Sequence, residues 1–233
     1  MLNLRQLADR SHLANAARAV VRGKRRRADV AWFIFRQEEV LRGLHDRLLG
    51  LKWRPDGFRP RFIQDPKPRV IGMTSVSDRI VHRALVDCLW PQLLPTLRPE
   101  HFAGLPGRGT HRARLRLLRL MRRFRYVVHL DIWRFFPSVD AAWVQALLQE
   151  FKPESAWSHV LQLILDDGVE LYRDPMVRTH ARLMPTEPPV GRGLPPGALT
   201  SQVLAGHLYL RDADRLVTRQ PGVGGYVRYM DDL

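Results

Sequence analysis

Three carboxylates stand where they could hold a divalent cation. Asp231 and Asp232 are adjacent, behind Tyr229 and Met230, and Asp131 closes an apolar run far upstream. Phosphoryl transfer to a 3′-hydroxyl needs charge stabilisation and positioning more than covalent chemistry. Two Mg²⁺ ions about 4 Å apart can activate the attacking hydroxyl and neutralise a leaving pyrophosphate. Mg²⁺ is hard, takes oxygen ligands and keeps several from water and substrate phosphates, so the protein need supply only two or three carboxylates. Spacing alone does not single these acids out. An acid ending a strand often caps the next helix, and Asp-Asp pairs are common, as Asp166-Asp167 shows. That second pair reads as loop ahead of Gly168 and is left out of the site.

The elements around the acids decide whether they can meet. Tyr126–Ile132 is β-branched and apolar and reads as a buried strand delivering Asp131. Tyr226–Met230 follows the glycines at 222, 224 and 225 and reads as a short strand delivering Asp231 and Asp232. If those strands are neighbours, the acids share one sheet edge. Helical spacing is predicted over 3–22, 30–49 (with Gly50 as C-cap), 77–94, 111–124, 141–151, 156–165 and 200–218. Ser75 or Ser77 would cap the third of these and Ser138 or Asp140 the fifth. Prolines at 55, 60, 66 and 68 break helix, and the β-like pieces 58–63 and 69–73 predict a hairpin with Lys67 and Arg69 flanking its turn. The glycines at 104, 107 and 109 precede a basic helix, but no Gly-Lys-Ser/Thr completes a phosphate loop.

Composition narrows the class. A net charge of +15 favours polyanionic partners, nucleic acid first and a membrane surface second. Only Lys24, Lys52, Lys67 and Lys152 are lysines among the 38 basic residues. Arginine makes forked phosphate contacts, yet a GC-rich genome gives the same bias. The run Lys24–Arg27 fits a solvated turn or a phosphate contact. A single cysteine, Cys88, excludes an intramolecular disulfide and a Cys-based zinc site, and its helical apolar setting predicts a buried thiol. No signal-peptide core and no long apolar run is present, so the expectation is a cytosolic protein with no membrane partner.

Several segments then carry a resemblance. His129-Leu130-Asp131-Ile132-Trp133-Arg134-Phe135-Phe136-Pro137-Ser138-Val139-Asp140, Gly193–Gln202 and Tyr226–Asp232 resemble, in order, three palm motifs of the bacterial reverse transcriptases. This group includes group II introns, retrons and diversity-generating retroelements. Arg22–Arg25, Asp65–Ile71, Asp78–Leu85 and Gly107–His111 resemble the fingers segments. Gly-Lys-Arg near the start, Asp-Pro-Lys-Pro-Arg and Leu-Thr-Ser-Gln fit the diversity-generating enzymes best. The implied fold is α/β, the fingers and palm of a right-hand polymerase with an antiparallel palm sheet and no thumb. The implied division is N-terminal helices and fingers over 1–125, palm over 126–142, a second fingers or connecting segment over 143–190, and palm over 191–233.

The resemblance implies an RNA-directed DNA polymerase of a retroelement. It would use an RNA template, a DNA or RNA primer, dNTPs and two Mg²⁺ ions, with Mn²⁺ as a substitute and an accessory protein as a further partner. Asp131, Asp231 and Asp232 match the metal-binding acids, and Ile132 would add its carbonyl. Phe136 matches the steric gate against a ribose 2′-OH, leaving Phe135 as the core aromatic. Lys67 and Arg69 match residues that hold the triphosphate, and Gly197 matches a glycine where backbone approaches nucleotide or template–primer. Tyr229, Met230 and Arg108 would contact template or primer. Two departures stand out. Pro196 occupies a position where many relatives have Gln, which the error-prone diversity-generating enzymes also lack. Beyond Leu233 the family's pattern continues with a return strand, a primer grip and a thumb. Without them, duplex binding should be weak and the carboxylate turn loosely held. Two alternatives follow: a non-catalytic nucleic-acid-binding remnant, and an antiviral enzyme of the retron or abortive-infection kind.

Overall fold

Helices make most of the fold, and they pack around one apolar core. The structure is a computed structural model describing residues 2–64 and 68–233, so the expectation placed on Lys67 lies outside the described residues. The first helical stretch divides into α1 (Leu4–Ala8) and α2 (Arg10–Val21), because Asp9 leaves the helical region and its carboxylate accepts from His12 N to start a new helix. The second divides at Arg36 into α3 (Ala28–Phe35) and α4 (Gln37–Leu49). Gly50 does cap α4, but the left-handed residue after it is Leu51.

The hairpin forms as the prolines and β-branched residues predict. β1 (Arg59–Ile63) pairs antiparallel with β2 (Arg69–Met73), Arg61 opposite Ile71. α5 (Val76–Leu93) starts on Ser75, whose hydroxyl accepts from Asp78 N, and it buries Ile80, Val81, Ala84, Leu85 and Leu89 against α2. Cys88 lies in the same core with its thiol pushed up to about 12 by burial. α6 (Thr110–Arg123) follows a glycine-rich loop. The short α7 (Phe135–Ser138) leads to α8 (Ala141–Leu148), capped by the Asp140 carboxylate on Trp143 N. α9 (Ser155–Leu171) and α10 (Pro175–His180) complete the middle of the chain. α11 (Leu199–Ser201) runs into a π-helical stretch, Gln202–Tyr209, and α12 (Arg211–Val217) follows after a turn. Among the described residues, no helix is long and apolar enough to cross a membrane.

Three sequence expectations are corrected. Asp166 and Asp167 are not in a loop but inside α9, where the Asp167 carboxylate accepts from Phe58 N at 3.3 Å. Asp78 does the same for Asp56 N at 2.9 Å, so a buried and a half-buried acid hold the loop that enters β1. Burial pushes Asp78 up to about 6. Next, Tyr126–Ile132 forms no strand and is not buried. Tyr126 is 81% and Val128 74% exposed. Within 126–132 the ladder bonds are those Leu130 exchanges with Leu233, and β-forming residues make no strand without a neighbouring ladder. Finally, the antiparallel palm sheet does not appear as a sheet. The only one among the described residues is the β1–β2 pair, and the acid-bearing segments meet through isolated bridges.

Gly197 connects hairpin and core. Its φ is +115°, and a Cβ there would lie 2.6 Å from Ile71 Cγ2 and 2.8 Å from Gly72 O. The neighbouring Pro196 O accepts from Gly72 N at 2.8 Å. Gly109 has the same φ with nothing within 4 Å. Gly197→Ala therefore combines backbone strain with overpacking and should destabilise by about 3 kcal/mol or more, while Gly109→Ala should cost roughly half that. Chemical denaturation of both variants measures the difference, and equal losses would refute the steric account.

Candidate active site

Four short segments bring the acids together. Residues 100–102 run parallel to Arg228: Phe102 N donates to Arg228 O and Arg228 N to Glu100 O, both at 2.9 Å. Tyr229 and Asp232 exchange backbone bonds of 2.9 and 3.2 Å, closing a two-residue loop of Met230 and Asp231. Leu233 and Leu130 exchange bonds of 2.9 Å each, which sets Asp131 opposite Asp232 as a non-hydrogen-bonded antiparallel pair. Such pairs hold their Cα atoms about 4.5 Å apart with both side chains on one face.

The turn is strained and its strain is held from below. Met230 has φ of 58°, at a loop position where glycine is usual. A side chain there costs about 1–3 kcal/mol unless the surroundings impose it. Two contacts impose it here. The Met230 thioether seats over Gly206 in the π-helical stretch, where a Cβ would come within 2.9 Å of Sδ. The Met230 carbonyl accepts from Arg228 Nη1 at 2.8 Å, and the same nitrogen donates to Gly206 O.

Arg228 in turn depends on Asp214. Nε and Nη2 donate to the two carboxylate oxygens at 2.6 and 2.7 Å, with both residues 0% exposed. Tyr226 Oη donates to the same Asp214 oxygen at 2.9 Å. Beside this network lie His101 and His207, ring centroids 4.7 Å apart. Burial, with the Arg228 charge adding, pushes them down to about 2 and about 4, so both are neutral. Sequence reasoning missed Asp214 and Arg228, since buried and surface charges look alike in a sequence. The available signal was alternation: Tyr226 and Arg228 share the inward face of one extended segment.

Asp231 is half-buried, and its carboxyl is raised above the usual carboxylate range by burial and then by the charges of Asp131 and Asp232, with Arg69 opposing. Thus Arg69, at the start of β2, directs its charge to the acids. His129 Nε2 lies 3.3 Å from Asp232 Oδ1, a neighbour also missed. Phe135 is buried and Phe136 half-buried beside it, centroids 5.2 Å apart. Ile132 is half-buried. The Tyr229 hydroxyl accepts from Thr110 Oγ1 at 3.0 Å, and Tyr229 and Met230 line a cavity of about 400 Å³ with Trp90, Gln202 and His207. Arg108 Nη1 donates to the carbonyls of Arg98 and His101 at 2.7 and 2.6 Å. Gly197 makes its close approach to β2.

The donor chemistry suits a hard dication: carboxylate oxygens, with Asp231 raised by burial and then by its two acidic neighbours. The acids are not, however, drawn into one ligating group; among the described residues no three His, Cys, Asp or Glu side chains are gathered to hold a metal ion. Mg²⁺ tolerates so incomplete a protein shell because water and phosphate oxygens complete it.

Two outcomes follow. Asp231 is raised in the folded state, so its ionisation opposes folding at neutral pH, and the penalty fades as pH falls through its folded value toward the unfolded one near 4. Asp231→Asn should therefore be more stable than the parent at pH 7, with the advantage gone below about pH 4. Melting temperatures across pH test this, and a pH-independent difference would contradict it. Asp214→Asn leaves the Arg228 guanidinium buried without its counter-charge and should cost about 3–5 kcal/mol. Tyr226→Phe should cost about 1 kcal/mol. Denaturant titration ranks the two, and parity between them would undo the assignment.

No curated protein matches the chain. The sequence pattern of the family described as reverse transcriptase (RNA-dependent DNA polymerase) matches residues 63–233, from the end of β1 to the carboxylate turn. With the match extending over most of its length, the chain belongs to the reverse transcriptase family.

Proposed function

We propose that the protein is a template-directed RNA-directed DNA polymerase of a retroelement, nearest the diversity-generating kind. The observation that carries this is the placement of Asp131 opposite Asp232, with Asp231 in the strained Tyr229–Asp232 turn and raised by burial and then by both charges. Fingers would comprise the N-terminal helices and the β1–β2 hairpin. Palm would comprise 126–142 and 191–233.

Asp131, Asp231 and Asp232 would hold the divalent ions, with the Ile132 carbonyl beside them. Bound there, two Mg²⁺ ions would lower the pKa of the primer 3′-hydroxyl and neutralise charge on the leaving pyrophosphate. The chain's own residues position the reactants. Arg69, whose charge acts on Asp231 from β2, would meet the triphosphate, together with Lys67, its neighbour in sequence. The half-buried Phe136 ring follows Asp131 by five positions and is the residue that would exclude a 2′-OH. Tyr229 and Met230, on the wall of the cavity, are the surfaces offered to the primer end. The turn's stiffness matters because a misplacement of about 1 Å can cost 100-fold in rate.

A second reading, a nucleic-acid-binding protein without catalysis, is favoured by one observation: the three acids are not gathered into a ligating group. Primer extension separates the readings. With oligo(dT) on poly(rA), Mg²⁺ and dTTP, the chain should lengthen the primer. Asp231→Ala should reduce the rate by about 100-fold or more, because several kcal/mol of charge stabilisation is removed. Equal rates in parent and variant, with both folded by circular dichroism, would leave only the binding reading.

A further inference from the structure

We propose that the arginine face of α6 is a docking surface for the phosphodiester backbone of an RNA·DNA hybrid, beginning at the carboxylate turn and leading away from it. α6 has 14 residues and contains no acid. Arg112, Arg116, Arg119 and Arg123 fall at i, i+4, i+7 and i+11, which at 3.6 residues per turn sets them within about 60° of one another. They span about 16 Å along the axis in steps of about 4.5–6 Å, far enough apart to meet different phosphates.

Their charges are uncompensated. Arg79, Arg83, Arg211 and Arg228 each have a carboxylate within ion-pair distance. Among the described residues, none of the four on α6 has an acidic partner, and Arg112, Arg119 and Arg123 are exposed. Like charges at i, i+4 destabilise an isolated helix, so nothing in the folded chain favours this row. A polyanion supplies the missing counter-charge.

The position of α6 selects the polyanion. Its first residue bonds Tyr229, and Leu120 and Phe124 rest against Gly225 and Gly224. The helix therefore lies along the segment that leads into the carboxylate turn, with its first residue at Tyr229 and the arginine row on a neighbouring face. A duplex seated at that turn has the row at its flank. One flank of the row turns inward through Ala113 and Leu120, while Leu117, Leu118 and Met121 on the side opposite the row are exposed, so lipid is included as a competitor in the test.

The inference rests on the polymerase reading only for the kind of duplex, and binding in EDTA requires no catalysis. Fluorescence anisotropy with a hybrid of about 20 base pairs, over about 50–300 mM KCl, compares two variants of the full chain. One is R112A/R116A/R119A/R123A, in which alanine preserves the helix. The other, R5A/R10A/R18A/R42A, removes the same charge from exposed positions on α1, α2 and α4. The α6 variant should bind at least about tenfold more weakly at 0.1 M salt, and its log–log salt slope should be shallower by about 3.6, or 0.9 per phosphate. The comparator should lose less than half of either. Equal losses in the two variants, no loss in the first, or a loss seen only with phosphatidylserine vesicles would overturn the proposal. A chain that fails to extend a primer but shows the expected binding difference sinks the polymerase reading alone.

Discussion

The carboxylate turn depends on a fully buried ion pair. The Arg228 guanidinium donates to three partners: the Asp214 carboxylate, the Gly206 carbonyl and the Met230 carbonyl. Taking two charges out of water is costly, and a pair in this setting contributes little net stability over an apolar replacement. What it confers is geometry. A forked guanidinium on a carboxylate has few alternative arrangements, and its remaining nitrogen ties the turn to the helix beneath. The π-helical distortion of Gln202–Tyr209 belongs to the same arrangement, because it brings Gly206, the residue with room for the Met230 thioether, under the strained turn. His101 and His207 are neutral chiefly because they are buried, and the Arg228 charge beside them adds to this.

A second constraint works from the opposite side. The loop holding Pro196 and Gly197 touches β2 so closely that neither Gly72 nor Gly197 can carry a side chain without a shift. β2 in turn carries Arg69, whose charge reaches Asp231. The hairpin is thus fixed to the core by backbone contact rather than by a large apolar interface; its own cluster contains Phe58, Val70, Leu171, Tyr172, Val177 and Ala198. Asp78 and Asp167 serve the same end by holding the chain that enters β1.

Local signals were legible wherever one residue's own chemistry decides the structure. Ser75 and Asp140 cap the helices that follow them, prolines flank the hairpin, and Cys88 lies on the apolar side of α5. Signals failed where a partner decides. Tyr126–Val128 has strand composition, but a strand is a property of two segments, and here pairing begins only at Leu130. Asp9 and Arg36 break helices whose apolar spacing runs on without interruption. The family likeness set Arg108 at template or primer; the use of its Nη1 on two carbonyls comes from a loop conformation that spacing does not encode. The acids themselves were found from residue type and order, whereas their support, Asp214 and Arg228, was found only from burial.

Charge distribution joins these parts. The chain carries +15 overall, yet three carboxylates lie near one turn, where burial and then the charges of Asp131 and Asp232 raise Asp231. A basic field draws in phosphates and disfavours the approach of a bare dication. The two requirements are compatible if cation and phosphate arrive together, because a nucleoside triphosphate with one bound dication is still an anion and is attracted as a whole. Once seated, its phosphates supply the oxygens that three carboxylates on short, singly bridged segments do not. An incompletely gathered acid cluster inside a strongly basic shell is then a consistent design: the shell collects the polyanion, and the polyanion completes the site.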